Sequence, residues 1–182
     1  MTSRSSYRVV ILAGGKSVRF GVDKCSFEWN GLSPLARLTK EFEDMEVIIL
    51  TDRPRGFPNE LLDRELKGPY VAVRYAVKEL KLNGKLFVVG CDYPFANRRL
   101  SDVLCKFEAN AVVPVVNGVP QYLIACYSSS VFKEGCYSFA GCIDDPYLID
   151  ARSLGYYGVP TYSFLTANRV NDLILSPSIH RE

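Results

Sequence analysis

The chain has 182 residues, 48% of them hydrophobic and 23% charged, and its 22 Lys and Arg against 20 Asp and Glu leave a net charge of +2. That length suits one globular domain, able to bury roughly 70% of the surface its unfolded form exposes, and the composition excludes disorder, collagen and coiled coil as the main state. So even a charge balance argues against a nucleic-acid binder, while the basic residues clustered in a few loops suit a small polyanion.

In chain order, Tyr7 to Ala13 reads as a strand that is apolar on both faces, as in the centre of a parallel sheet. A glycine-containing loop, Gly14 to Gly21, follows it. Ser33-Pro34 reads as the N-cap and first residue of a helix, continued by Leu35, Leu38 and Phe42 at helical spacing. Glu46 to Thr51 is a second strand, Arg53 to Pro58 a loop, Pro69 to Leu80 a helix, and Lys85 to Gly90 a third strand ending at Cys91-Asp92. Leu100, Val103, Leu104 and Phe107 then mark another helix. Ala111 to Val116 and Gln121 to Tyr127 flank Asn117-Gly118, a strong hairpin signal. Beyond Ser130 the pattern predicts a short helix near 130–134, a strand at Thr161 to Leu165 and a closing helix at Asn171 to Leu175.

Strands alternating with helices predict a mostly parallel sheet with helices on both faces and right-handed crossovers. Ligands of such sheets bind outside the carboxyl ends of the strands. That rule singles out the Gly14–Gly21 loop, the Thr51–Asp52 end and the segment from Cys91 to Pro94.

No apolar run reaches the roughly 18 residues a membrane span needs. Arg4 is not followed by an apolar stretch long enough for a signal peptide, because Gly14 and Gly15 interrupt it. The expectation is one cytoplasmic domain over residues 1–182, with 1–6 flexible and no membrane partner. The six cysteines form no Cys-x-x-Cys pair and the one histidine is His180, so a zinc site is not expected. Buried free thiols are expected instead, with a small Cys136–Cys142 bridge only in a hyperthermophile.

The glycine loop matches neither of two familiar phosphate motifs. Gly15-Lys16-Ser17 resembles the end of a Walker A loop, but the earlier glycine that motif needs is Val10. Gly14 and Gly15 are adjacent, so Gly-x-Gly-x-x-Gly fails too. Two readings remain for the glycine pair alone. One is an ordinary strand-to-helix turn. The other is a phosphate cradle, in which bare backbone amides approach the oxygens while Arg19 and Lys24 supply cations.

The full string is more specific. Leu12-Ala13-Gly14-Gly15, Ser17, Arg19-Phe20-Gly21 and Asp23-Lys24 resemble the signature of nucleotidyltransferases built on a Rossmann-like sheet. Among these, the short spacing to Asp23-Lys24 is most similar to the molybdenum cofactor guanylyltransferases of the MobA type. Asp63 followed by Gly68-Pro69, the run Cys91-Asp92-Tyr93-Pro94-Phe95, Gln121-Tyr122-Leu123, and Asn168 ahead of Asn171-Asp172-Leu173 resemble further segments of that family, in its order and over nearly the whole chain. Three departures stand out. Gly68-Pro69-Tyr70-Val71 leads to Ala72-Val73 without the family's next glycine, Tyr122 replaces a proline, and no asparagine stands at Leu50 or Thr51.

The resemblance implies a three-layer Rossmann-like nucleotidyltransferase fold with a small antiparallel hairpin. It implies GMP transfer from GTP to the terminal phosphate of molybdopterin, with pyrophosphate released and Mg²⁺ as cofactor. Leu12, Ala13, Gly14 and Gly15 would meet the nucleotide, Arg19 the outer phosphates, Lys24 the α-phosphate region and Asp63 the base or ribose. Asp92 would bind Mg²⁺, and Asn168 and Gln121 would lie on the acceptor side. Asp63 also reads as a solvated loop acid beside Arg64, and Asp92 as a helix N-cap before Pro94. Tyr156 and Tyr157 read as surface packing or as a pterin stack. The family further implies handover of product to a molybdoenzyme or its chaperone. Related reactions would use the same first loop: cytidylyl transfer to the molybdenum cofactor, guanylyl transfer to cobinamide phosphate, or transfer to a sugar 1-phosphate. An alternative of another class is a nucleotide-binding module without turnover.

Overall fold

A computed structural model of the chain describes residues 7–14 and 23–166. Gly15, Arg19 and Asn168, and the helix expected at Asn171 to Leu175, lie outside the described residues.

The strands are β1 (Tyr7–Leu12), β2 (Val47–Thr51), β3 (Glu60–Leu62), β4 (Lys85–Gly90), β5 (Ala111–Val116), β6 (Val119–Pro120), β7 (Ile124–Ser128) and β8 (Tyr147–Asp150). The α-helices are α1 (Pro34–Glu41), α2 (Pro69–Glu79), α3 (Arg98–Lys106) and the single turn α4 (Phe139–Cys142). All eight strands among the described residues join one sheet, ordered β3-β2-β1-β4-β7-β5-β6, with β8 against β5. β1 pairs in parallel with β2 on one side and β4 on the other, and β3 extends β2 in parallel. β7 then runs antiparallel to β4.

Alternation along β1 shows why the sheet is covered on both faces. Val9 and Ile11 point into one core with Leu35 and Leu38 of α1 and Leu100 and Leu104 of α3. Val10 and Leu12 point into the other with Tyr70, Val73 and Ala76 of α2 and Phe139 of α4. Each such Val, Leu, Ile or Phe side chain stabilises the fold by about 1.5–3 kcal/mol when fully buried, so the solvent cannot be offered either face. Ser33 caps α1 by accepting from the Ala36 amide at 3.1 Å, and Pro34 opens the helix, as its sequence predicts.

The hairpin forms at Asn117-Gly118, both in the left-handed region, with Val116 opposite Val119. Its return arm is not continuous. Val115 faces Pro120 but Val112 faces Cys126, so residues 121–123 bulge between β6 and β7. The bulge turns Leu123 toward the end of β4, where its carbonyl accepts from the Gly90 amide at 2.8 Å.

Three expectations are corrected. Thr161–Phe164 is a 3-10 helix, not a strand. It begins at Pro160, and Ser163 Oγ accepts from Asn97 Nδ2 at 2.6 Å, which ties the segment to the start of α3 instead of a sheet edge. Among the described residues the last strand is instead β8, in a stretch for which no element is expected. The cysteines are not all free thiols: Cys25 is bonded to Cys91 and Cys105 to Cys126, whereas Cys136 and Cys142 are unbonded.

Candidate active site

The sheet order places a crevice at the end of β1, where the chain leaves β1 for β2 on one side and returns from β3 through α2 to β4 on the other. This is where an α/β sheet binds ligands. A cavity of about 560 Å³ lies there, within the usual range for small-molecule sites. Leu12 and Gly14 come from the end of β1, Thr51 and Asp52 from the end of β2, and Gly90, Cys91 and Asp92 from the end of β4. Lys24 and Asp63 complete the polar lining, and Leu66, Pro69, Ala72 and Leu123 form an apolar wall.

Lys24 Nζ stands 3.7 Å from Asp92 Oδ2, with the two side chains 24% and 18% exposed. An ammonium and a carboxylate are thus brought together from segments far apart in sequence. Asp92 is not a helix cap, because the N-cap of α3 is Asn97, whose Oδ1 accepts from the Leu100 amide at 3.0 Å. Its position depends on Gly90. A Cβ there would collide with the Asp92 carboxylate, so only the bare backbone lets that group fold back over the strand end.

At Gly14 the protein itself leaves ordinary room, since a Cβ would sit 3.5 Å from the Asp52 nitrogen. The glycine is exposed and lines the cavity. Ala13 is buried, and its amide donates to the Leu50 carbonyl at 2.8 Å, so that N–H belongs to the sheet and not to a ligand. Leu12 lends the cavity its side, while its carbonyl accepts from the Cys91 amide at 3.0 Å. Asp63 lines the cavity from the end of β3. Its Oδ1 accepts from the amides of Glu65 and Leu66 at 3.0 and 3.2 Å, which fixes the carboxylate on its own turn.

Gln121 is outside the cavity lining. Its Oε1 accepts from the Tyr93 hydroxyl at 2.7 Å and its Nε2 donates to the Val119 carbonyl at 2.8 Å. The amide binds the hairpin to the turn after Asp92 and has both ends occupied. Burial pushes the Tyr93 hydroxyl pKa well up, with the Asp92 charge adding to it, so the donor stays protonated. Tyr156 and Tyr157 also lie away from the cavity. Tyr156 is 94% exposed, and Tyr157 packs edge-on to Phe107.

Sequence reasoning passed over a charged cluster beside the cavity. Arg55, its side chain 4% exposed, donates to Asp23, to Ser26 Oγ at 2.9 Å, to Thr51 Oγ1 at 3.0 Å and to Asp52 Oδ1 at 3.2 Å. Arg53 also donates to Asp23. The strand-end rule pointed to Thr51–Asp52, but no motif marked Arg55 as its partner. Among the described residues no group of three or more His, Cys, Asp or Glu forms a metal site. Asp92 at the cavity suits Mg²⁺, which usually takes one or two carboxylates and fills its shell with phosphates and water.

Residues 9–136 match the model of the MobA-like NTP transferase domain. The chain belongs to this family. A MobA-like NTP transferase is a nucleotidyltransferase. The chain is 33% identical over 137 residues to a protein of Bacillus velezensis named "Probable molybdenum cofactor guanylyltransferase", covering 67% of each. A protein of the same name from Bacillus anthracis is 28% identical over 154 residues, 74% of each. In structure, the chain resembles molybdopterin-guanine dinucleotide biosynthesis protein A from Archaeoglobus fulgidus, with a TM-score of 0.77 over 92% of this chain and 95% of that one, at 17% identity. A 2-C-methyl-D-erythritol 4-phosphate cytidylyltransferase from Thermus thermophilus shares the fold at a TM-score of 0.64 and 15% identity, over 92% and 95%. No helix among the described residues of this MobA-like chain is long and apolar enough to cross a membrane.

Proposed function

We propose that this MobA-like enzyme transfers GMP from GTP to the terminal phosphate of molybdopterin, forming a guanine dinucleotide and releasing pyrophosphate. The observation that carries this reading is the pairing of Lys24 with Asp92 at the mouth of the strand-end cavity. The names of the relatives supply the acceptor and the base.

In this reaction a phosphate oxygen of the acceptor attacks the α-phosphorus of GTP, and the bond to the β-phosphate oxygen breaks. A phosphate monoester is already anionic near neutral pH, so the reaction needs no general base from the protein. What the chain supplies is position and charge. The exposed Gly14 backbone lets the nucleotide approach the end of β1. The apolar wall of Leu66, Pro69, Ala72 and Leu123 suits the face of a base. The Asp63 carboxylate accepts hydrogen bonds, and guanine offers both its ring N–H and its amino group on one edge. Lys24 neutralises negative charge gathering between the α-phosphate and the departing pyrophosphate. Asp92 would hold Mg²⁺, which when bound supplies Lewis-acid neutralisation of phosphate charge. Gly15 and Arg19 continue the phosphate contacts in this proposal, and Asn168 serves the acceptor; all three assignments come from the resemblance.

The experiment incubates the purified chain with α-labelled GTP or CTP, Mg²⁺ and molybdopterin. Label transfer to molybdopterin from GTP, with pyrophosphate release, is expected. Transfer from CTP in preference, or transfer to cobinamide phosphate in preference, reassigns base or acceptor. GTP binding without transfer to any acceptor refutes the catalytic reading.

A further inference from the structure

We propose that the Cys25–Cys91 disulfide is a covalent clamp that sets the spacing of Lys24 and Asp92, so that turnover depends on it and not stability alone. The inference rests on the nucleotidyl-transfer reading above. One sulfur belongs to the residue directly after the lysine, and the other to the residue directly before the aspartate. The two cysteines are 66 positions apart in sequence, with Cα atoms 5.5 Å apart.

The two groups arrive on different kinds of support. Asp92 follows β4, whose neighbours fix it on both sides. Lys24 sits in a turn, where the Ser26 and Phe27 amides donate to the Asp23 carbonyl at 3.1 and 2.9 Å. Hydrogen bonds tie that turn to α1, through the Leu35 amide and the Cys25 carbonyl at 3.2 Å, and to the end of β2 through Arg55. The disulfide ties it to β4.

The Lys24–Asp92 ion pair is no substitute for the bond. When a triphosphate and its divalent cation arrive, the ammonium turns to phosphate oxygens and the carboxylate to the cation. The mutual attraction is surrendered at the moment when spacing matters, and a displacement of about 1 Å can cost about 10²-fold in rate. A bond between the neighbouring residues survives that exchange. Cys25 and Cys91 are 1% and 2% exposed, so a soluble dithiol reaches them only through local opening. This makes the bond a standing clamp and not a rapid switch. It forms by exchange with an oxidised dithiol carrier: the two thiols lose two protons and two electrons, and the carrier's disulfide departs as a dithiol.

The test starts by alkylating air-oxidised, denatured protein without reductant. Two reactive thiols, Cys136 and Cys142, are expected; six overturn the proposal. Cys25→Ala and Cys91→Ala are then compared with wild type and with Cys105→Ala/Cys126→Ala, each well below its own unfolding transition. The first two are expected to lose about tenfold or more in kcat with a much smaller change in KM for GTP, while the double variant keeps the wild-type kcat. Equal losses in both sets, or none in the first, overturn the clamp. Amide hydrogen exchange at residues 24–26 and 91–93 is read on the same proteins. Faster exchange is expected in Cys25→Ala and Cys91→Ala only, and unchanged exchange overturns the clamp. That arm needs no turnover, so wild-type protein inactive on GTP would refute the proposed reaction while exchange still judges the clamp.

Discussion

The Arg55 guanidinium donates to the carboxylate of Asp23, 32 residues earlier in the chain. This contact docks the turn that carries Lys24 onto the end of β2. Arg55 also holds Thr51 and Asp52, and its amide donates to the Glu60 carboxylate at 3.0 and 3.1 Å, so one residue joins the strand end, the lysine turn and the start of β3. A cation this enclosed is expensive to strand, and the cost of breaking such a pair exceeds what forming it gains over an apolar substitute.

Arg55→Met should therefore lower stability by roughly 2–3 kcal/mol, the scale of a lost charge-assisted hydrogen bond between partly shielded groups. Turnover should fall as well, because Asp23 no longer fixes its neighbour Lys24. Urea denaturation gives the first effect, and kcat measured below the unfolding transition gives the second. Wild-type values in both would remove Arg55 from the site's architecture.

The same cluster sets an acid limit. Burial pushes the Asp23 carboxyl up, but hydrogen bonding and charge from Arg55, a hydrogen bond from Arg53 and the Cys25 amide outweigh it and hold the group below its ordinary 3.8. A carboxyl depressed in the folded state contributes stability that is complete above its unfolded pKa and disappears as pH falls through its folded one. The Asp23 contribution should be flat from neutrality to about pH 4 and decline below that. Urea midpoints against pH should show this decline in wild type, and Asp23→Asn should start lower and lose that component of the slope.

Much of the scaffold was legible because it rests on local rules. The two-sided apolar run of β1, the Ser33-Pro34 start of α1 and the Asn117-Gly118 turn each follow from a few adjacent residues. β3 and β8 were not, since three or four residues become strands only through partners elsewhere: Glu60 beside Ile49, and Tyr147 beside Val112. Cysteine pairing is equally nonlocal. Lys24 and Asp92 could be picked out separately by motif, but their approach to 3.7 Å is a product of the sheet order. Arg55 lies in the Arg53 to Pro58 loop, where no local pattern marks it, and only the fold turns its side chain inward.

Lys24→Ala and Asp92→Ala should each lose about 10²–10³ in kcat, the usual scale for removing one group that stabilises transition-state charge, with the far-UV circular dichroism unchanged. Gly90→Ala is the sharper probe because it deletes nothing. The added methyl collides with the Asp92 carboxylate and forces it from the strand end. Its kcat should drop by about tenfold or more, in keeping with the sensitivity of phosphoryl chemistry to small displacements. Wild-type activity in Gly90→Ala would show that the carboxylate position seen here is not the one catalysis uses.

Base choice should be separable from catalysis at Asp63. Its carboxylate reaches the cavity while Oδ1 is fixed by the amides of Glu65 and Leu66. That bracing makes the group a rigid acceptor, well suited to a guanine edge that presents two donors. Cytosine presents one amino donor beside acceptors, and those acceptors would face the carboxylate unfavourably. Asp63→Asn keeps the size and the turn-capping oxygen but replaces the second acceptor with a donor. The loss of a two-donor contact is worth about 1–3 kcal/mol, so the ratio of kcat/KM for GTP over CTP should fall by roughly 10–100-fold. The effect should appear mainly in KM, since the base lies away from the reacting phosphorus and its contacts are the same in ground and transition states. An unchanged ratio would move base selection to another wall of the cavity, with Asp52 the next carboxylate to substitute.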